Sequence, residues 1–491
     1  MSIHRNTAYN IAGSVIPLAL SLVTVPIYLK LIGESRYGVL AIAWLLLGYF
    51  GLFDLGLGRA TAQHIAALSH AETKERSETF WTALSLNAGL GFFGGLLIWP
   101  IATYFFSNIF KIEDALHPEM IASIPWLILA VPMATLSGVL TGALQGREQF
   151  LELNIISITS TVIFQIFPLL ISSLFGPELY FLLPAALSAR LITLIVLIWR
   201  CSKHVFDKYR PCFIRAKALH LLSFGGWVTV SSLITPMMVT LDRFVIGAIS
   251  GAKTVTLYTI PFQLSQRITL LPGALSTALF PRMASTNNLE ARKLACQGVN
   301  SLIAVMTPLV LLGLFIMEPF LKFWVGEDFS NKSALVGQLL LIGFWANSFA
   351  WIPYTQLQAC GRPDLVAKSH LSEVLPYFAL LFLGLKYYGL VGAAIAFSIR
   401  VFLDLLILSW LSGILSLILR LIFLPSIFLT IGLLTTLFKM HNYIYGLLLL
   451  GIQLFIAIIW SWKKAPKELK SLIINRANIF LYFGNKLEKH N

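Results

Sequence analysis

The chain has 491 residues, of which 57% are apolar and only 12% charged, with a mean hydropathy of +0.80. A soluble globular chain carries roughly 25% charge, so composition excludes an ordinary water-soluble enzyme and leaves a polytopic helical membrane protein. Lys and Arg number 36 against 22 Asp and Glu, a net charge of +14. In a membrane chain such an excess belongs on loops facing an anionic leaflet, and no nucleic-acid partner is expected.

A membrane helix needs about 20 apolar residues. Breaking the chain at charge and Gly/Pro clusters predicts spans at 8–30, 37–66, 79–107, 120–145, 150–175, 178–199, 219–249, 253–281, 294–321, 333–358, 365–385, 389–411, 418–438 and 443–462. That makes about fourteen transmembrane helices in an all-α chain. The first run is too long for a signal-peptide core. The runs are continuously apolar rather than alternating, which excludes spanning strands.

With the N-terminus inside, the inner segments hold 24 Lys and Arg and the outer segments 8. That bias predicts both termini in the cytoplasm. Cys201, Cys212, Cys296 and Cys360 have no C-x-x-C spacing, so neither a metal site nor a disulfide framework is expected. No cofactor is expected either.

Weak internal echoes suggest two halves. Pro26 matches Pro236, Gly146-Arg147 matches Gly361-Arg362, and the run from Tyr37 to Arg59 matches that from Tyr258 to Arg282. The implied domains are an N-terminal six-helix lobe (1–199), a basic cytoplasmic linker (200–218), a C-terminal six-helix lobe (219–412), two added helices (413–462) and a basic tail (463–491). An even helix count per half makes the lobes parallel repeats about an axis normal to the membrane.

Charges well inside the spans are few: Asp54, Arg190, Asp242, Arg243, Arg267, Arg400 and Asp404, with Glu373 about eight residues into its span. A centred charge costs about 2.5–3.5 kcal/mol on insertion scales, so most of these must face a cavity or a partner. Arg400 and Asp404 are four apart on one helix face and can neutralise each other as a structural pair. Asp242 and Arg243 are adjacent and point to different faces, so they are not expected to satisfy each other fully, and one must reach another helix or the cleft. Arg59 either serves a site or snorkels to the surface. Arg190 and Arg267 lie near the midpoints of their spans with no carboxylate within four residues. A guanidinium keeps its charge at any working pH. If the two line a cavity, they select an anion, phosphate or carboxylate, in bidentate geometry.

The first 65 residues resemble the opening of the polysaccharide repeat-unit flippases, the Wzx-type O-antigen and capsule exporters of the multidrug/oligosaccharidyl-lipid/polysaccharide superfamily. The resembling features are Asn10 and Pro26, LIGESRYG at 31–38 and GLFDLGLGRA at 51–60. Later pieces sit in similar places: LQGREQFLELN (144–154), LDRFVIG (241–247), TLYTIPFQLSQRI (256–268), LFPRMAS (279–285) and QACGRPDL (358–365).

The resemblance implies a two-lobed, MATE-like transporter with a positively charged cavity. It would move an undecaprenyl-diphosphate-linked oligosaccharide from the cytoplasmic to the periplasmic leaflet of the bacterial inner membrane. The family is thought to be driven by an ion gradient, H+ or Na+. Membrane lipids and the oligosaccharide are the expected partners, with a polysaccharide polymerase and chain-length proteins as further candidates. The candidate cationic site is Arg190, Arg243, Arg267, Arg59 and Arg400. The candidate coupling groups are Asp54, Asp242, Asp404 and Glu373. Arg190, Arg400 and Asp404 match no family stretch and stand on the physical argument.

The alternative is a cation-coupled drug antiporter of the related MATE family, for which a carboxylate-dominated cavity is expected. A membrane enzyme is a third class, and it lacks support: no Walker A, G-x-S-x-G or H-E-x-x-H sequence is present, and the longest outer loop, 108–119, carries no nucleophile–base pair.

Overall fold

A computed structural model describes residues 3–49, 57–68, 73–147, 149–206, 211–219, 240–437, 443–464 and 470. Among these residues the regular structure is helical, with no strand. Eight helices are long and apolar enough to cross a membrane. Each of the fourteen expected spans overlaps a described helix, in some cases part of a longer one, and the chain is a multi-pass membrane protein.

The elements are α1 (Ile3–Tyr49), α2 (Leu57–Ala67), α3 (Thr73–Tyr104), α4 (His117–Gly146), α5 (Phe150–Phe175) and α6 (Leu179–Cys201), then α7 (240–250), α8 (Ala252–Gln266), α9 (Leu270–Ala284), α10 (Asn288–Trp324), α11 (Glu327–Ala359), α12 (Pro363–Leu411), α13 (Leu415–Leu437) and α14 (Tyr443–Lys464).

Two of these are really pairs. α1 turns at Gly33 (φ 78°, ψ 169°), and α12 turns at Gly389 (φ 58°, ψ −139°). Both angles lie where a side chain is strained, so glycine makes each turn in one residue. The two expected spans at 365–385 and 389–411 are therefore the arms of one hairpin. Just beside its turn, a Cβ on Gly392 would collide with the Gly384 carbonyl. The arms meet backbone to backbone there, as small residues allow in membranes.

Several helices outrun their expected ends. α10 begins at Asn288 rather than 294 because the Asn287 side chain accepts the Glu290 N–H at 2.9 Å. That satisfies a helix-end donor where the chain leaves the apolar run.

The contacts divide the chain into two compact units, Met1–Thr259 and Ile260–Asn491. In the first, α4 is the central rod. It packs on α2, α3 and α6 through a core of Leu57, Phe80, Val139, Leu140, Leu144 and Leu197. Close packing is set by Gly142, where a Cβ would collide with the Gly58 carbonyl. In the second, α11 packs on α10 and α12, and Phe262, Phe344 and Phe397 form a ring cluster with centroids 5.0–5.2 Å apart. α13 and α14 lie against α10.

One end of the first unit is laced by polar contacts. Arg36, just past the Gly33 turn, grips Glu119 with two N–H donors at 2.6 and 3.1 Å. Glu119 also accepts the Leu179 N–H, and Glu34 pairs with Lys253 at 3.4 Å. The LIGESRYG stretch thus acts as a structural clasp in this chain.

Candidate functional site

Arg190 sits midway along α6 and is half-buried. It lines a cavity of about 280 Å³ together with Phe164 and the hydroxyls of Ser137, Thr141, Ser157 and Ser160. Its guanidinium carbon lies 5.2 Å from the Phe164 ring centroid, a cation–π contact. Among the described residues no carboxylate comes within 4 Å of it, and the Phe164 ring is the partner it has in a cavity otherwise lined by hydroxyl-bearing side chains. The hydroxyls themselves are oriented. Ser137 donates to the Met133 carbonyl, Thr141 to Ser137 and Thr161 to Ser157, at 2.8 Å each. A hydroxyl whose proton is committed to its own helix offers only lone pairs elsewhere.

A second cavity of about 220 Å³ adjoins the first. It shares Ile156, Ser160 and Thr193 with it and ends at Glu152, Trp199 and Arg200. Glu152 pairs there with Arg200 and His204, both at 3.4 Å.

Arg267 occupies a break. α8 ends at Gln266, a 3-10 turn covers Arg267–Thr269, and α9 resumes at Leu270. Pro272 explains the break: its ring crowds the carbonyl four residues back and it donates no N–H. Arg267 is exposed, and among the described residues it has no ion-pair partner. Arg190 and Arg267 both remain available to an anion.

Arg243 is different. It is only 4% exposed, and its Nη1 pairs with Asp242 Oδ1 at 3.1 Å; the Asp242 carboxylate also accepts the Arg243 backbone N–H at 2.7 Å and the Tyr258 hydroxyl at 3.1 Å. The expectation that neighbouring residues must point apart is corrected here. The Arg side chain is long enough to curl back on its neighbour. Asp242 does reach a second helix, through Tyr258 of α8.

A third grouping lies inside the α12 hairpin. Glu373 is on its first arm, and Arg400 and Asp404 are on its second; all three are buried. Arg400 Nε donates to Glu373 Oε2 at 3.3 Å, across the hairpin. Asp404 Oδ1 lies 3.4 Å from Nε2 of buried His370. Ser369 donates to Glu373 at 3.2 Å, and the Tyr354 ring of α11 stacks parallel to His370 at 6.3 Å. The ion-pair partner seen for Arg400 is thus Glu373 across the hairpin, while Asp404, expected to pair with it, lies beside His370, because the tight turn brings the other arm as near as the next helical turn. Asp54 lies outside the described residues, as does the side chain of Arg59.

The sequence reading did not single out His370, Glu152 or the hydroxyl row. His370 was signalled by its three-residue spacing from Glu373. The hydroxyls were signalled by Ser157, Ser160 and Thr161, three to four residues apart in an otherwise apolar run and so on one helix face.

Residues 3–287 match the family model described as polysaccharide biosynthesis protein. A Shigella flexneri protein with the provisional name O-antigen transporter is 32% identical over 84% of this chain and 98% of its own length. The lipopolysaccharide biosynthesis protein WzxC of Escherichia coli K12 is 22% identical over 78% of this chain and 75% of its length. Two solved structures share the fold at 14% identity. The lipid II flippase MurJ, inward closed, has a TM-score of 0.71, covering 95% of this chain and all of that one. An inward-facing multidrug resistance MATE family transporter of the MOP superfamily has 0.68, covering 84% and 98%. The MATE likeness is one of fold only, whereas the family match and the Shigella relative are likenesses of sequence over most of the chain, and on them the chain belongs to the polysaccharide biosynthesis protein family.

Proposed function

We propose that this chain is a flippase for an anionic, lipid-linked oligosaccharide, carrying it from the cytoplasmic to the periplasmic leaflet of a bacterial inner membrane by alternating access. The observation that carries this reading is Arg190: a permanent cation inside a membrane-spanning helix, without a carboxylate partner among the described residues, beside a row of hydroxyls. Such a group is too costly to leave against acyl chains. It fits a diphosphate or an acidic sugar, and it disfavours the cationic cargo of a drug antiporter. The names of the Shigella and E. coli relatives support the same substrate class.

Both termini lie in the cytoplasm in this reading, on the strength of the Lys and Arg bias. The moving bodies are the two lobes expected at 1–199 and 219–412. A cation gradient, H+ or Na+, drives the cycle, with Asp54, Asp242, Glu373 and Asp404 as the candidate coupling groups. The chain itself performs no chemical step, and a polymerase and chain-length proteins take over the product.

The test is export of surface polysaccharide in a host deleted for its own copy of this gene. Arg190→Ala and Arg267→Ala are each expected to abolish export with membrane expression retained. Normal export by both would overturn the cationic-site reading.

A further inference from the structure

The second unit holds a cavity of about 410 Å³ that the flippase reading does not use. It lies where helices begin and end: the start of α10, the last turn of α11 and both ends of α12. Its volume falls in the roughly 300–1,000 Å³ of small-molecule sites. The described residues that line it include two arginines, Arg292 and Arg362, and no acid.

The two arginines differ. Arg362 Nε is committed to Asp364 at 3.2 Å. Arg292 is exposed, and among the described residues its side chain makes no ion pair or hydrogen bond. Its guanidinium lies beside Gly413, just past the Ser412 that lines the cavity. Asn288 and Leu289 belong to the first turn of α10, whose N–H groups lack partners within the helix and carry the positive end of its dipole. The cavity is therefore built for an anion.

A second group asks for a different atom. Gln356 is only 6% exposed and belongs to the inner wall. Its Nε2 donates to the Ser412 carbonyl at 3.2 Å. A carbonyl can only accept, so the nitrogen must face it and Oε1 turns elsewhere. That Oε1 is buried and receives no hydrogen bond among the described residues. A buried acceptor left in this state is costly, and a ligand O–H would complete it. The fitting ligand joins a phosphate to a hydroxyl.

Depth selects its source. Arg292 and Lys293 stand just before the apolar run of α10, and Arg362 just before that of α12. Trp410, next to Leu411 of the lining, is 69% exposed, and Leu289 is 72% exposed. Exposed Trp marks the headgroup level of a bilayer, and Leu289 offers apolar surface to an acyl chain. The Lys and Arg bias puts this end on the cytoplasmic side, where basic pockets between membrane helices suit anionic headgroups.

We propose that this cavity binds an anionic phospholipid of the phosphatidylglycerol class: Arg292 and the start of α10 take the phosphodiester, and Gln356 Oε1 accepts a glycerol hydroxyl. The site lies within one unit and stands apart from Arg190 and from whatever the protein carries.

The experiment titrates the full-length protein in maltoside detergent with dioctanoyl phosphatidylglycerol, phosphatidylethanol (anionic, without a headgroup hydroxyl) and phosphatidylcholine, and with glycerol phosphate, by calorimetry. Phosphatidylglycerol is expected to bind about tenfold tighter than phosphatidylcholine or glycerol phosphate, the worth of one charge-assisted hydrogen bond. Phosphatidylethanol should fall between. Arg292→Gln should erase the preference for the anionic lipids. Lys293→Gln removes the same charge one residue away, outside the lining, and should leave that preference intact. Gln356→Met should weaken phosphatidylglycerol to the level of phosphatidylethanol; the wild-type comparison of those two lipids tests the hydroxyl even if that variant fails to fold. Binding of none of the lipids, equal binding of phosphatidylglycerol and phosphatidylcholine, or equal losses in Arg292→Gln and Lys293→Gln would overturn the site. Equal binding of phosphatidylglycerol and phosphatidylethanol would overturn the headgroup class. Glycerol phosphate binding as tightly as the lipid would give the cavity to a soluble phosphate ester and overturn the lipid assignment.

Discussion

Arg190 and Arg400 are the same residue type at comparable depth in their helices, yet they sit in opposite settings. Arg190 is half-open beside hydroxyls and a ring, with no carboxylate near it among the described residues. Arg400 is buried, paired with Glu373 and close to a second acid and a histidine. A charge that the fold leaves without a counter-ion is kept for something that arrives. A charge that the fold neutralises is part of the scaffold or of a switch within it. The comparison sorts the membrane-embedded arginines of this chain better than depth alone.

The contrast is broken most severely at Arg400. Arg400→Ala leaves Glu373 buried without its guanidinium partner, and breaking a buried pair in this way costs about 3–5 kcal/mol. Loss of the folded monodisperse peak in detergent chromatography is the expected result. The charge exchange Glu373→Arg with Arg400→Glu should recover part of that peak, and failure to recover any would show that Asp404 and His370 fix the polarity of the pair. Arg190→Ala gives the opposite pattern: an unchanged thermal midpoint, within the about 0.5 kcal/mol usual away from such features, with export lost. A thermal midpoint that fell as far as that of Arg400→Ala would mean that Arg190 is structural after all. His370→Gln removes the imidazole that lies 3.4 Å from Asp404 and stacks on Tyr354 and should cost about 1 kcal/mol, as single substitutions commonly do; thermal unfolding in nanodiscs reads it. The smallest effect is expected at Arg36→Ala, whose pair with Glu119 is partly open to solvent. It should cost on the order of 0.5–1 kcal/mol and shrink at high salt.

Much of this was legible in the chain. Apolar run lengths located the helices, and Lys and Arg placement suggested their sense. The midspan arginines stood out because so few charges interrupt those runs. What could not be read was pairing. Whether Arg243 faces a ligand or its own neighbour depends on how its side chain curls. Whether Arg400 meets Asp404 or Glu373 depends on the Gly389 turn, which makes residues 27 apart into neighbours. Glycine in an apolar run does not announce a positive φ. The hydroxyl row escaped notice for a related reason: serine and threonine are tolerated anywhere in a membrane helix, and only the cavity shows that theirs share a side.

The α12 hairpin has a bearing on how the protein is made. Each arm presented alone to the bilayer would bring an ionisable group into oil: Glu373 on one, Arg400 and Asp404 on the other. Turned at a single residue and touching at Gly384 and Gly392, the two arms form a unit whose acid and guanidinium are already within reach of each other. During biogenesis the insertion machinery then receives a pre-neutralised pair rather than two reluctant segments, and the ribosome must deliver the second arm before the first is committed to lipid.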